Sequence, residues 1–194
     1  MEQLANHGNG TFEYVDNYNQ ALKVFVREYH KFYAVAKDVK IQIEFKPENV
    51  KAYRLIGYEN RVLANEDFED DTKDAGELSA GQNITAFYEI IPADIQDRAE
   101  PAIFVDFRYK NPDEDASQLI TSEIYDEGTS FSEASESLRF AAGVAGFGML
   151  LFDSNYLGTT DYEQVKSWVS GAKTFDPDNY REELLSLIDL ASQL

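Results

Sequence analysis

The 194 residues contain no cysteine, which excludes disulfides, thiol nucleophiles and zinc sites built on thiolates. Histidine is nearly as scarce. His7 sits in a turn and His30 on a helix rich in aromatics; neither has a nucleophile close by in sequence, so imidazole catalysis finds no constellation. Basic residues are few: 17 Lys and Arg stand against 36 Asp and Glu, a net charge of -19 that repels a phosphate backbone. No run of Lys or Arg forms a basic patch, so no nucleic-acid partner is expected. Long hydrophobic runs are missing too. The longest, Phe140 to Phe152, falls short of the ~20 residues a membrane span needs, so no membrane insertion by this chain is expected. The polar start, Met1 to Gly10, lacks the basic-then-apolar order of a signal peptide. No internal repeat or low-complexity segment is present.

What is present is ordinary for a globular chain. Hydrophobic residues make up 43%, enough for one good core or two small ones. Twelve Tyr and 13 Phe favour strands and packed interfaces over a flexible tail.

Periodicity divides the chain. Thr11 to Val15 reads as a short strand after the His7-Gly8-Asn9-Gly10 turn. Asn17 and Gln20 have capping-box spacing, and Leu22, Phe25, Val26, Tyr29 and Tyr33 recur at helical intervals, predicting an amphipathic helix from Asn17 to Ala34. Val39, Ile41, Ile43 and Phe45 then alternate with polar residues, a half-buried strand ended by Pro47. Val50 to Tyr58, Ile84 to Ile91, Ile103 to Tyr109 and Gln118 to Tyr125 are further strands, with an acidic loop from Asn60 to Gln82. Short strands separated by turns such as Asn111-Pro112-Asp113 predict an antiparallel sandwich. Beyond Gly128 the pattern turns helical. Ser130 with Glu133 and Thr160 with Glu163 have capping-box spacing, and Asp176-Pro177 reads as a cap with Pro at the first helical position. Within the apolar run, Ala142 and Gly146 form a small-xxx-small pair suited to close helix packing. The expected class is α+β: a β-sandwich over 37–128 and a helical region over 129–194 packing on it.

Few motifs carry chemistry. Glu66, Asp67, Glu69, Asp70, Asp71, Asp74 and Glu77 form the best metal candidate, because calcium takes about six to eight oxygen ligands. Their spacing departs from an EF-hand, so loop 66–77 supports a calcium-dependent binding module as the alternative reading and a solvated or salt-bridged loop as the leading one. A Pro-Asp turn already accounts for Asp113 and Asp115. Ser170-Gly171-Ala172-Lys173 matches Ser-x-x-Lys without its companion motifs, and Gly8-Asn9-Gly10 lacks the third glycine of a dinucleotide fingerprint. No carboxylate pair is singled out for a hydrolase, the weakest alternative. Arg54 and Arg61 lie on or beside a mostly apolar strand and call for carboxylates, with Glu59, Asp70 or Asp71 able to brace the sheet. No catalytic, cofactor-binding or metal residue is assigned, and no cofactor is expected.

Several longer segments carry a family resemblance. YRLIGYENR (Tyr53 to Arg61), DDTKDAGE (Asp70 to Glu77) and TAFYEIIP (Thr85 to Pro92), within Ala36 to Pro92, resemble the region after the von Willebrand type A domain in a bacterial group labelled calcium-activated chloride channel-like. Asn111 to Ser117 (NPDEDAS) and Phe140 to Leu151 resemble that group's C-terminal domain of unknown function. Met1 to Val15 is similar to the last helix-to-strand passage of a type A domain and Asn17 to Ala34 to its final helix, which implies a remnant over 1–36. A type A domain holds its cation on an Asp-x-Ser-x-Ser loop. That motif is absent here, so no metal residue carries over. The resemblance implies a non-catalytic, extracytoplasmic module supporting an adhesion domain through protein contacts. A pore would need spanning helices or a closed barrel. An orphaned remnant would leave apolar area in water, so Leu22, Phe25, Val26 and Tyr29 are expected to pack on the body or on a second copy, making residues 17–34 a possible homodimer contact.

Overall fold

The computed structural model describes residues 4–5, 12–57, 62–94 and 97–194. The chain folds as two compact units, 1–126 and 127–194.

Among the described residues the first unit holds six strands: β1 (Ala34–Phe45), β2 (Val50–Ile56), β3 (Gly76–Ser79), β4 (Phe87–Pro92), β5 (Ile103–Lys110) and β6 (Gln118–Ile124). All pairings are antiparallel, giving a four-stranded sheet in the order β3-β1-β5-β6 and a two-stranded sheet β2-β4. In the larger sheet Ile41, Ile43 and Phe45 lie opposite Phe107, Val105 and Ile103, which makes one apolar face. Lys40, Gln42 and Glu44 lie opposite Arg108, Asp106 and Phe104 on the other. Phe45, Val50 and Ala102 form a buried cluster with Ile43, Tyr88 and Ile103. There the sheets meet: Phe45 stacks on Tyr53 with ring centroids 4.0 Å apart and tilts against Tyr88. Buried Asn49 ties in the loop before β5, donating to the Asp97 carbonyl and accepting from the Asp97 N–H.

The N-terminal region departs from expectation. Residues 12–15 form no strand, and Thr11 lies outside the described residues. In place of one helix from Asn17 to Ala34 there are three short pieces: α1 (Tyr18–Leu22), a π turn (Lys23–Arg27) and a 3-10 turn (Tyr29–Phe32). Asn17 does cap α1, accepting from the Gln20 N–H. The π turn, closed by the Glu28 N–H on the Lys23 carbonyl, widens the spiral and rotates the residues beyond it about the axis. Val24, inside the turn, is the buried residue, while Phe25, Val26 and Tyr29 stay exposed on this chain and Leu22 is half-buried. The expected packing of that face on the body is corrected accordingly. β1 already begins at Ala34, so position 36/37 falls inside a strand.

The acidic segment 62–82 holds a strand that alternation did not show. β3 carries a single apolar side chain between two turns and pairs with β1 through register shifts at a bulge where Asp38 has φ +52°.

The second unit has three helices: α2 (Glu136–Leu151), α3 (Tyr162–Ser170) and α4 (Tyr180–Ala191). Its core is Val165, Val169, Leu185 and Ile188, with Phe140, Phe147, Leu150, Tyr162, Trp168 and Leu184 around it. The close helix contact uses Gly143 and Gly146 rather than the expected Ala142 and Gly146. A Cβ on Gly143 would lie 2.5 Å from Val169 Cγ2, and one on Gly146 2.9 Å from Val165 Cγ2. The caps also shift. Ser130 and Glu133 close a capping box on a 3-10 turn, and Ser135 caps α2. Asp161, not Thr160, caps α3 through the Gln164 N–H. Asp176 still serves α4, its carboxylate accepting from the Arg181 and Glu182 N–H groups. No helix among the described residues is long and apolar enough to cross a membrane.

Candidate functional site

Folding assembles a basic cluster that the sequence scatters. At one end of β1 and β5, Lys37 lies opposite Lys110 and Lys40 opposite Arg108. Like charges facing each other across strands repel, and Lys40 and Lys110 are also 3% and 7% exposed. The acidic loop resolves both problems by closing over them. Lys40 Nζ donates to the Asp67 and Asp70 carbonyls at 3.0 and 2.5 Å. Lys110 Nζ donates to Asp38 Oδ2 at 2.8 Å and to the Asp71 carbonyl at 2.7 Å. Asp38 reaches this position through its bulge and also accepts from the Ala75 N–H. Buried Phe68 slots beneath the Arg108 guanidinium, 5.4 Å from its ring.

The loop's own carboxylates are spent locally. Asp70 accepts from the Thr72 hydroxyl and N–H, bonds that hold its carboxyl below the usual value. Asp71 is lowered in the same way by hydrogen bonding from Ser117. Asp67 reaches Lys73. Glu77, on β3, is pushed upward by burial and then by Asp38 and Asp74. No group of three metal-binding side chains occurs among the described residues. In loop 66–77 the Asp67, Asp70 and Asp71 carbonyls face Lys40 and Lys110, while the carboxylates of Asp67, Asp70 and Asp71 face Lys73, Thr72 and Ser117. The loop is a brace, as the leading salt-bridged reading had it, but its anchors are Lys40 and Lys110. Arg54 instead pairs with Glu89, its cross-strand neighbour on β4. Arg61, Glu59 and His7 lie outside the described residues.

Beside the brace, Gln42, Glu44, Asn65, Phe104 and Asp106 line an open groove of about 260 Å³. Among the described residues its lining is polar and holds two acids, Glu44 and Asp106, without a histidine, lysine or third carboxylate. Asp113 remains in its turn, while Asp115 stands 3.9 Å from Lys37. His30 is half-buried against Gly81 and edge-on to Tyr29, a packing role.

The larger chemical anomaly is apolar. Phe12, Tyr14, Tyr18, Phe25, Val26, Tyr29, Phe32 and Tyr33 are all exposed within one short stretch. Phe25 and Phe32 stack on each other at 6.1 Å, organising part of this surface without covering it.

A family model described as "Uncharacterized protein YfbK, C-terminal" matches residues 30–103 and 95–194. The uncharacterized protein YfbK of Escherichia coli (strain K12) is 38% identical over 209 residues, covering 98% of this chain and 36% of that protein. The chain thus spans about a third of the length of the relative it matches. No solved structure matches.

Proposed function

The chain belongs to the YfbK C-terminal family, and from that premise we propose that it is a non-catalytic protein-interaction module of a longer protein. The observation that carries this reading is the run of exposed aromatic residues between Phe12 and Tyr33, in which Phe25 and Phe32 stack on each other. Burying apolar area is worth roughly 25 cal/mol per Å², and clustered exposed aromatics are typical of contact surfaces. The basic cluster argues in the same direction, because its lysines are consumed in holding the loop. With its two sheets meeting through Phe45, Tyr53 and Tyr88, the first unit acts as a small sandwich that presents this surface.

The partner in this reading is the rest of the longer protein. The resemblance of Ala36 to Pro92 to the region following a von Willebrand type A domain supports such a domain there, in an extracytoplasmic protein, with this chain supporting it. Amide hydrogen exchange tests the proposal by comparing residues 18–33 in the full-length protein and in this chain alone. Slower exchange in the full-length protein is expected. Equal exchange refutes the reading, and protection that grows with concentration in the isolated chain assigns the surface to a second copy instead. Cell fractionation checks the compartment.

A further inference from the structure

Strand β6 offers a second interaction surface, independent of the aromatic one. Among the described residues it forms one edge of the four-stranded sheet, and all seven of its residues are exposed. Sheet edges present unpaired N–H and C=O groups, and proteins ordinarily blunt them with short strands, Lys, Pro or bulges. Elsewhere in this unit such guards are in place. β3 is four residues long, β2 carries Lys51 and Arg54, and β4 ends on Pro92. β6 (QLITSEI) has no Lys, Arg, Pro or Gly, and its sole charge is Glu123.

We propose that β6 pairs antiparallel with β6 of a second copy about a two-fold axis at Ser122, joining two four-stranded sheets into one of eight. Side-chain complementarity selects this occupant. In that register Ile120 lies opposite the partner's Ile124, and Leu119 opposite the partner's Tyr125. These four are 52%, 45%, 50% and 43% exposed in the single chain, and each meets an apolar neighbour in the pair. Glu123 meets the partner's Thr121, so no carboxylates face each other. Even-numbered residues of β6 share a face with Ile103, Val105 and Phe107. A two-fold axis normal to the sheet keeps that apolar face on one side across both copies. A single shared edge buries less than a standard interface of about 1,600 Å², so the dimer is concentration-dependent. Two copies of charge -19 also repel, so it strengthens as salt rises.

The absence of cysteine makes the register directly testable. Directly opposed residues on antiparallel strands have Cα atoms about 4.5–5.5 Å apart, within disulfide range. Under mild oxidation Ser122→Cys is expected to give a cross-linked dimer at several-fold the yield of Thr121→Cys and of the remote control Asn155→Cys. Sedimentation of the unmodified chain should show a dimer fraction that rises with concentration and salt, and that Ile120→Lys with Ile124→Lys removes while circular dichroism is unchanged. A monomer at all salts and concentrations overturns the proposal, as does equal cross-linking at the three positions. Preferential cross-linking at Thr121 overturns the register. A dimer abolished by Phe25→Asp but untouched by the β6 pair assigns self-association to the aromatic surface.

Discussion

Helix α2 contains two glycines, Gly143 and Gly148, whose replacement by alanine should differ in effect: a gain at Gly148, and no gain or a loss at Gly143. At Gly148 an added Cβ meets nothing within 4 Å. The substitution there gains helix propensity alone, about 0.8–1 kcal/mol. At Gly143 the same methyl would stand 2.5 Å from Val169 Cγ2, where ordinary contact begins near 3.4 Å. About 1 Å must be found. Val169 cannot supply it by rotating, since a β-branched side chain in a helix holds essentially one χ1 rotamer. It is also fully buried beside Val165 and Ile188, so α2 and α3 must separate. Overpacking of this kind costs about 1–3 kcal/mol, which exceeds or cancels the propensity gain. Gly143→Ala should therefore lie roughly 1–3 kcal/mol below Gly148→Ala in stability, since both gain propensity and only one is overpacked. Trp168 is the single tryptophan and packs on this core, against Phe131, so its fluorescence during urea unfolding reads the second unit specifically. Equal midpoints for the two variants, or a more stable Gly143→Ala, would refute the claim that these helices touch through Gly143.

Two further expectations concern the brace. Lys40→Met keeps the buried stem but removes both bonds to the Asp67 and Asp70 carbonyls; allowing for partial rehydration of the loop, it should cost about 2 kcal/mol and speed proteolysis within residues 64–75, whereas an unchanged cleavage rate sinks the brace. The pH dependence follows from sign: Asp70 and Asp71 are lowered from 3.8, so their contribution is present above that value and fades as pH falls through their depressed pKa values, with Glu77, raised from 4.5, partly opposing it. Lys110 is raised from 10.5 chiefly by its bond to Asp38, so its contribution holds below 10.5 and is lost above. Near-ultraviolet circular dichroism of the tyrosines against urea should show both losses in the wild type. An acid limb unchanged in Asp71→Asn with Asp70→Asn would separate acid sensitivity from the loop.

How much of the fold was legible depended on how locally each feature is encoded. β5 and β6 were readable because alternation and the Asn111-Pro112 turn lie within a few residues of one another. The core stripe of α3, Val165 and Val169, is encoded just as locally: one helix face repeats every three to four residues. β3 was hidden because four residues with one apolar side chain hold too little period to register. The helix expected at Asn17 to Ala34 failed where β-branched and aromatic residues crowd together. A π turn at Lys23–Arg27 breaks the regular helical repeat there, and Val24 within it is the buried residue.

The candidate site shows the same division most sharply. The acids of residues 66–77 are contiguous and were visible at once, but their purpose is set by Lys40 and Lys110, which stand far apart in sequence and meet through β1–β5 pairing. An acidic run read alone suggests a cation, and the cation it faces belongs to the chain itself. That changes what the charge balance means. Although the net charge is -19, Asp38 is drawn inward to pair with Lys110, and Asp115 stands near Lys37, in a cluster of four cations at one end of a sheet. The loop's carbonyls, rather than its carboxylates, make most of the contacts to the buried lysines. Stripping the loop away would leave Lys37, Lys40, Arg108 and Lys110 facing one another, so the brace and the sheet it covers form as one unit.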